Sequence, residues 1–457
     1  MKEKYKKYIG NKAFYMMVMA IAVPIMIQNG LTNFVNLLDN IMVGRLGTEE
    51  MSGVSIVNQI IFVYNLCIFG GTAGVGIFTA QYFGQKNDEG IRSTFRYKIW
   101  LALIITVGAA FLLLFFGKQL ILLYLMGENG GNEKLALEYG MTYLRIILLD
   151  LPAFMILQVY ASTMRECGET VVPMKAGAAA VAVNLIFNYL LIYGKFGFPR
   201  LGVAGAAVAT VISQGVSVVL CILYIFLKVK ILLPEKQHFR VGSHLYWELF
   251  SQSISMGLMS SIVSAGSVIL QYGINGLGTL TIAGHTAARK LFAFTDMPLI
   301  AMANAASTFV SQNYGAVQPE RIRKGMREIY LYSLVVMVVT VLLMQVSAEW
   351  LVRMVSGSSE ALVLENGARY LRWTSPFYAV LGVLLSTRYA LQSLGEKVLP
   401  LFSSVIEFLG KVVFVLVFIP RFAYDAVILC EPVVWCFMAL YLVAVYRCNP
   451  FVFPKKQ

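Results

Sequence analysis

The sequence predicts an all-α membrane protein: twelve transmembrane helices in two six-helix, pseudo-symmetric lobes around a central cleft. Three observations carry this expectation. The 457 residues are 58% hydrophobic and 13% charged, with a mean hydropathy of +0.71, whereas about a quarter of a soluble domain is charged. Apolar runs recur along the whole length, each near the ~20 residues that cross a hydrocarbon layer. The second half of the chain repeats the first.

In chain order the spans fall near 14–42, 52–82, 97–117, 140–163, 172–194, 203–227, 248–275, 281–311, 329–348, 367–391, 399–420 and 424–446. Turn chemistry separates them, as in Gly44-Arg-Leu-Gly47, Gly194-Lys-Phe-Gly197, Asn275-Gly-Leu-Gly278 and Ser356-Gly-Ser-Ser359. With the N-terminus inside, 24 Lys and Arg lie in inner segments, ten lie outside, and three (Arg289, Lys290, Lys411) fall within spans. This bias puts both termini in the cytoplasm. The net charge of +13 is therefore read as loop charge that sets topology, and no nucleic-acid partner is expected. The six cysteines show no metal-ligand spacing and read as small apolar residues. No cleavable leader is expected, the first span serving as the insertion signal.

A shift of 231 residues places Leu46-Gly47-Thr48 on Leu277-Gly278-Thr279, Gly53 on Gly284, Gln81 on Gln312 and Gly84 on Gly315. Further on, a shift of 227 places Tyr143-Leu-Arg145 on Tyr370-Leu-Arg372, Gly168-Glu169 on Gly395-Glu396, and Pro173 on Pro400. Matches in one order at a nearly constant offset mark a duplication. The expected domains are an N-lobe over 1–228, a cytoplasmic linker over 229–247 and a C-lobe over 248–457. Six spans return the chain to its starting side, so the halves are parallel repeats, a geometry suited to alternating access.

Asp39 is the leading candidate residue. It sits in the opening apolar stretch, where a carboxylate costs several kcal/mol unless it takes up a proton or cation. Its repeat partner is Leu270, and Asn184, Asn188 and Thr210 likewise face Lys411, Val415 and Phe437. Asn184 and Asn188 lie one helical turn apart on one face. If spans one, five and six meet, these oxygens form a cage for Na⁺ at Asp39 or a hydrogen-bonded proton site. The competing reading is interhelical glue. Asn36, one turn before Asp39, joins the candidate substrate network. The second half contributes Arg289, Lys290 and Asp296 in span eight and Glu407 and Lys411 in span eleven. These either neutralise one another or leave an acidic member, Asp296 or Glu407, to attract a cationic substrate. Pro24 removes a hydrogen bond from the first span and makes a hinge or a harmless kink.

Enzymatic signatures are absent. There is no Gly-x-x-x-x-Gly-Lys-Ser/Thr loop, and His238, His244 and His285 are scattered, so no cofactor, metal centre or catalysis is expected.

Taken together, Pro24 with Asp39-Asn-Ile-Met-Val-Gly-Arg-Leu-Gly47, the repeated Gln81-Tyr-Phe-Gly84 and Gln312-Asn-Tyr-Gly315, Asn184-Leu-Ile-Phe-Asn188 and Gly205-Ala-Ala-Val-Ala-Thr210 resemble the multidrug and toxic compound extrusion (MATE) transporters over nearly the whole chain. The resemblance is to prokaryotic members, nearer the DinF-like than the NorM-like branch, because spans seven and ten lack the acidic residues of the latter. It implies a secondary active exporter in the bacterial inner membrane that antiports small organic, often cationic, drugs against H⁺ or Na⁺. It also implies a cation-linked network at the positions of Asp39, Asn184, Asn188 and Thr210, and bending of the first helix at Pro24. Position 188 departs from the pattern, carrying Asn where those relatives often carry Asp. A monomer is expected. The alternative is a lipid-linked oligosaccharide flippase of the same superfamily, with Arg289 and Lys290 meeting a pyrophosphate.

Overall fold

Apolar stretches of this length leave the backbone one economical solution in lipid: helices that satisfy every N–H and C=O internally. The computed structural model describes residues 12–125, 132–228 and 243–454, and among them only helices, turns and bends occur. Helix α1 (Lys12–Gly44) contains Pro24. It is followed by α2 (Thr48–Gly84), α3 (Asp88–Leu125), α4 (Glu133–Ile147), α5 (Asp150–Glu166), α6 (Val171–Tyr193) and α7 (Val203–Lys228). The second half holds α8 (Ser243–Asn275), α9 (Thr279–Thr295), α10 (Met297–Gly315), α11 (Pro319–Ser356), α12 (Ala361–Thr374), α13 (Tyr378–Ser393), α14 (Val398–Val413) and α15 (Ile419–Cys448).

Twelve spans are accounted for once the broken ones are joined. The fourth is α4 with α5, bent by 49°. The eighth is α9 with α10, which part at Asp296. The tenth is α12 with α13, joined by a 3-10 turn at Ser375–Phe377 that contains Pro376. Span eleven runs from α14 into a π-helical turn (Phe414–Phe418), and the turn to span twelve falls at Ala423, whose φ is 46°. By length and composition alone, eight described helices can cross a membrane, or nine with the bent pair. The eighth and tenth spans escape that count because each is divided, and spans eleven and twelve are counted together as one helix over Val398–Cys448. The expectation of a continuous helix over 281–311 is thus corrected: the helix breaks at Asp296.

The duplication is visible in the backbone. Lys86 (φ 56°) and Val317 (φ 55°), 231 residues apart, make the same left-handed turn, and so do Gly168 (φ 88°) and Gly395 (φ 90°), 227 apart. Helix contacts repeat as well. A Cβ on Gly53 would lie 2.5 Å from the Ala136 carbonyl oxygen, and one on Gly284 2.6 Å from that of Val363, the repeat equivalent. Only glycine permits backbones to approach this closely. Gly84 meets the Gln312 backbone and Gly315 meets that of Gln81, a reciprocal pair.

The chain divides into two compact units. One comprises Ile27–Thr79 and Asn87–Ile254, the other Met1–Met26, Ala80–Lys86 and Ser255–Gln457. Helix α1 therefore passes from one unit to the other two residues after Pro24. In the second unit, Val18, Ile21 and Ala22 of α1 join a core with Leu299, Phe309, Tyr378 and Leu442. A further core gathers Ile274, Ala288, Met344, Leu371 and Ile428.

Candidate functional site

In the first unit, α6 and α7 pack tightly because Gly205 lies against the Leu191 carbonyl, where a Cβ would sit 2.6 Å from its oxygen. Gly194, left-handed at φ 66°, ends α6 and lets the chain turn back. Asn184 and Asn188 project from α6 and are buried. Asn188 Nδ2 donates to Asp39 Oδ1 of α1 at 2.5 Å and to Asn184 Oδ1 at 2.9 Å. Asn188 Oδ1 is buried without a hydrogen-bond partner. Such an atom is costly unless something else satisfies it. Asp39, Asn184 and Asn188 thus form one connected cluster, with a carboxylate and two amide oxygens on hand for a cation or a proton donor.

Thr210 stands one step away. Its hydroxyl donates to the Ala206 carbonyl at 3.1 Å and lies beside the Tyr143 hydroxyl. Tyr143 donates to Asn58 Oδ1 at 3.2 Å and lies within electrostatic reach of both Asp39 and Asp150. Asp150 begins α5 just after the break in span four, and its Oδ1 is buried without a partner. Tyr143 and Asp150 are additions to the site expected from sequence. Asp150 was findable by the rule that singled out Asp39, an acid inside an apolar run; Tyr143 was visible only as a repeat match. The side chain of Asn36 lies outside the described residues. Pro24 is buried in α1.

In the second unit the expected charged residues sort into different pairs. Glu407 and Lys411 pair as their spacing predicts, Nζ to Oε1 at 2.8 Å, while Arg388 Nη2 lies 3.8 Å from the other Glu407 oxygen. Glu407 is therefore paired, the mutual neutralisation that was one of the two arrangements left open by the sequence. Arg289 does not pair with Asp296. Its Nη1 donates to both oxygens of Glu431 (3.0 and 2.8 Å) and to the Tyr370 hydroxyl at 3.2 Å, while Tyr370 donates to Glu431 at 2.6 Å. Asp296 Oδ1 stays buried without a partner at the helix break. Lys290 is exposed on α9. The sequence reading passed over Glu431, although it too is an acid within an apolar span. Arg289 and Tyr370 are the repeat equivalents of Asn58 and Tyr143, so one tyrosine contact recurs in both halves.

Comparisons with known proteins bear on the family and the fold. The MatE family profile matches residues 24–190 and 256–417. The chain is 24% identical over 394 residues to a probable multidrug resistance protein NorM of Thermotoga maritima, covering 85% of this chain and 82% of that protein. It is 24% identical over 450 residues to the probable multidrug resistance protein YoeA of Bacillus subtilis, covering 95% and 93%. A solved outward-facing structure of a multidrug resistance MATE family transporter of the MOP superfamily superposes with a TM-score of 0.83 at 19% identity, over 96% of each chain. With the profile covering most of both halves, and the fold shared throughout, the chain belongs to the MatE family of multi-pass membrane transporters.

Proposed function

We propose that this protein is a secondary active multidrug exporter of the bacterial cell membrane, with both termini in the cytoplasm, that antiports small organic, often cationic, compounds against H⁺ or Na⁺. The observation that carries the reading is the Asp39–Asn188–Asn184 cluster, a carboxylate held by one amide nitrogen beside an unsatisfied amide oxygen. A Na⁺ ion would be held by oxygens of Asp39, Asn184 and Asn188; a proton would go to Asp39. The names of the relatives from Thermotoga maritima and Bacillus subtilis support drug export as the task. The flippase alternative is not favoured, since the relatives are named for multidrug resistance and multidrug export.

The sequence of events follows from charge. With Asp39 ionised, the site accepts substrate. Uptake of H⁺ or Na⁺ neutralises the carboxylate, weakens its bond from Asn188 and lets α1 repack about Pro24. Substrate affinity then falls and release follows. Substrate and ion need only differ in their affinity for the two states. The division into lobes at 1–228 and 248–457 belongs to this proposal. Ethidium efflux from cells expressing Asp39→Asn, at wild-type protein levels in the membrane, tests it. Efflux should be abolished, and efflux at the wild-type rate refutes the coupling role.

A further inference from the structure

The second unit contains a cavity of ≈ 130 Å³ lined by Arg289, Glu431, Tyr370, His285, Leu270 and Val427, among others. A cavity of about 150 Å³ holds a benzene molecule, so this one admits a small headgroup. Unlike a benzene site, its wall combines an ion pair with apolar groups. Its wall includes the repeat equivalents of Asp39, Asn58 and Tyr143. By the repeat, Leu270 stands for Asp39, Arg289 for Asn58 and Tyr370 for Tyr143, while Glu431 stands where the first half has Ala204. The two halves thus carry equivalent internal sites with different charge patterns.

The ion pair is incompletely used. Only Nη1 of Arg289 is engaged, by Glu431 and Tyr370. Among the described residues Nη2 and Nε make no hydrogen bond, and the side chain is 38% exposed. The guanidinium carbon lies 4.8 Å from the centre of the Phe292 ring, which helps hold the guanidinium in place. A free guanidinium edge matches a carboxylate. Glu431 Oε1 accepts a bond from Arg289 alone, whereas Oε2 also accepts from Tyr370, so Oε1 retains capacity for a further donor. A purely anionic guest is repelled by Glu431 and a purely cationic one by Arg289, whereas a guest bearing both charges satisfies each.

We propose that this cavity is a headgroup subsite for zwitterionic substrates. A carboxylate docks on Arg289, an ammonium on Glu431 Oε1, and the apolar remainder lies against Leu270 and Val427. The inference rests on the export reading for its purpose and names a substrate class for it. Binding to the purified full-length protein in nanodiscs, without any gradient, tests it, using phenylalanine as the zwitterion, phenylalanine methyl ester as the cation and N-acetylphenylalanine as the anion. Wild type should prefer phenylalanine by about tenfold, the equivalent of about 1.4 kcal/mol. Arg289→Gln should shift the preference to the ester and Glu431→Gln to the N-acetyl compound. Should a single variant misfold, Arg289→Met with Glu431→Leu removes both charges together, a change that buried pairs tolerate better, and should erase the discrimination. Equal binding of the three compounds by wild type overturns the proposal, as does an unchanged order in the folded variants. Since Asp39 is untouched and no ion gradient is present, this outcome is independent of the Asp39→Asn efflux result.

Discussion

Asn188 illustrates how one atom's bonding bears on the ion site. Its amide nitrogen serves two acceptors, Asp39 and Asn184, and its oxygen serves none. Asn188→Asp places a second carboxylate at hydrogen-bonding distance from Asp39, and like charges this close do not both ionise freely. Efflux measured across pH and Na⁺ concentration should therefore change its dependence on one of them. A superimposable profile would remove position 188 from coupling. In the second half, Lys411 and Glu407 form a buried pair. Lys411→Met leaves Glu407 short of a partner and should cost about 3–5 kcal/mol. Lys411→Met with Glu407→Leu removes the lone carboxylate but takes from buried Arg388 its nearby anion, so it should recover only part of that loss in a thermal unfolding assay.

At the scale of helices, the reciprocal glycine contacts set where spans two and eight cross. Gly84→Ala and Gly315→Ala each drive a methyl group into the other helix's backbone. Each should destabilise by about 1–3 kcal/mol, by similar amounts because the contacts are equivalent, and a melting comparison of the two variants checks this. Pro24 acts differently. It lies where α1 passes between the two compact units, and Pro24→Ala restores a helical hydrogen bond. Under the hinge reading, efflux falls while the melting temperature holds or rises. Unaltered efflux would make Pro24 a harmless kink. The elements themselves were legible: hydropathy and turn residues place each of the twelve spans. The breaks at Leu148-Leu149, Asp296 and Pro376 were not, since apolar runs continue through them and only packing decides where a helix bends.

For the molecule as a whole, an exporter driven by an ion gradient needs no ATP. In proteoliposomes, an imposed H⁺ or Na⁺ gradient should by itself drive ethidium movement, with Asp39→Asn flat under both. A wild-type protein indifferent to both gradients would sink secondary active antiport. The duplication was readable because matched residues kept a nearly constant offset, and the structure repeats it in turns such as Lys86 with Val317 and Gly168 with Gly395. Asp39 stood out because a carboxylate in an apolar run is costly; helical spacing put Asn184 and Asn188 on one face, but their meeting with Asp39 depended on spans one and five packing together, which the structure shows.

Pairing among distant charges followed another logic. Sequence spacing joins Glu407 to Lys411, four residues apart on one helix, but offers no means of choosing between Asp296 and Glu431 for Arg289. Arg289 and Glu431 are 142 residues apart, and their meeting depends on the faces that α9, α12 and α15 turn to one another. The sequence by itself determined the helical spans, the two-fold repeat and the presence of an acid where lipid would exclude one, because hydropathy and helical periodicity are local. Only tertiary structure decided which charges neutralise each other, which oxygens stay unsatisfied and where a cavity opens, because those depend on helix packing across long stretches of chain.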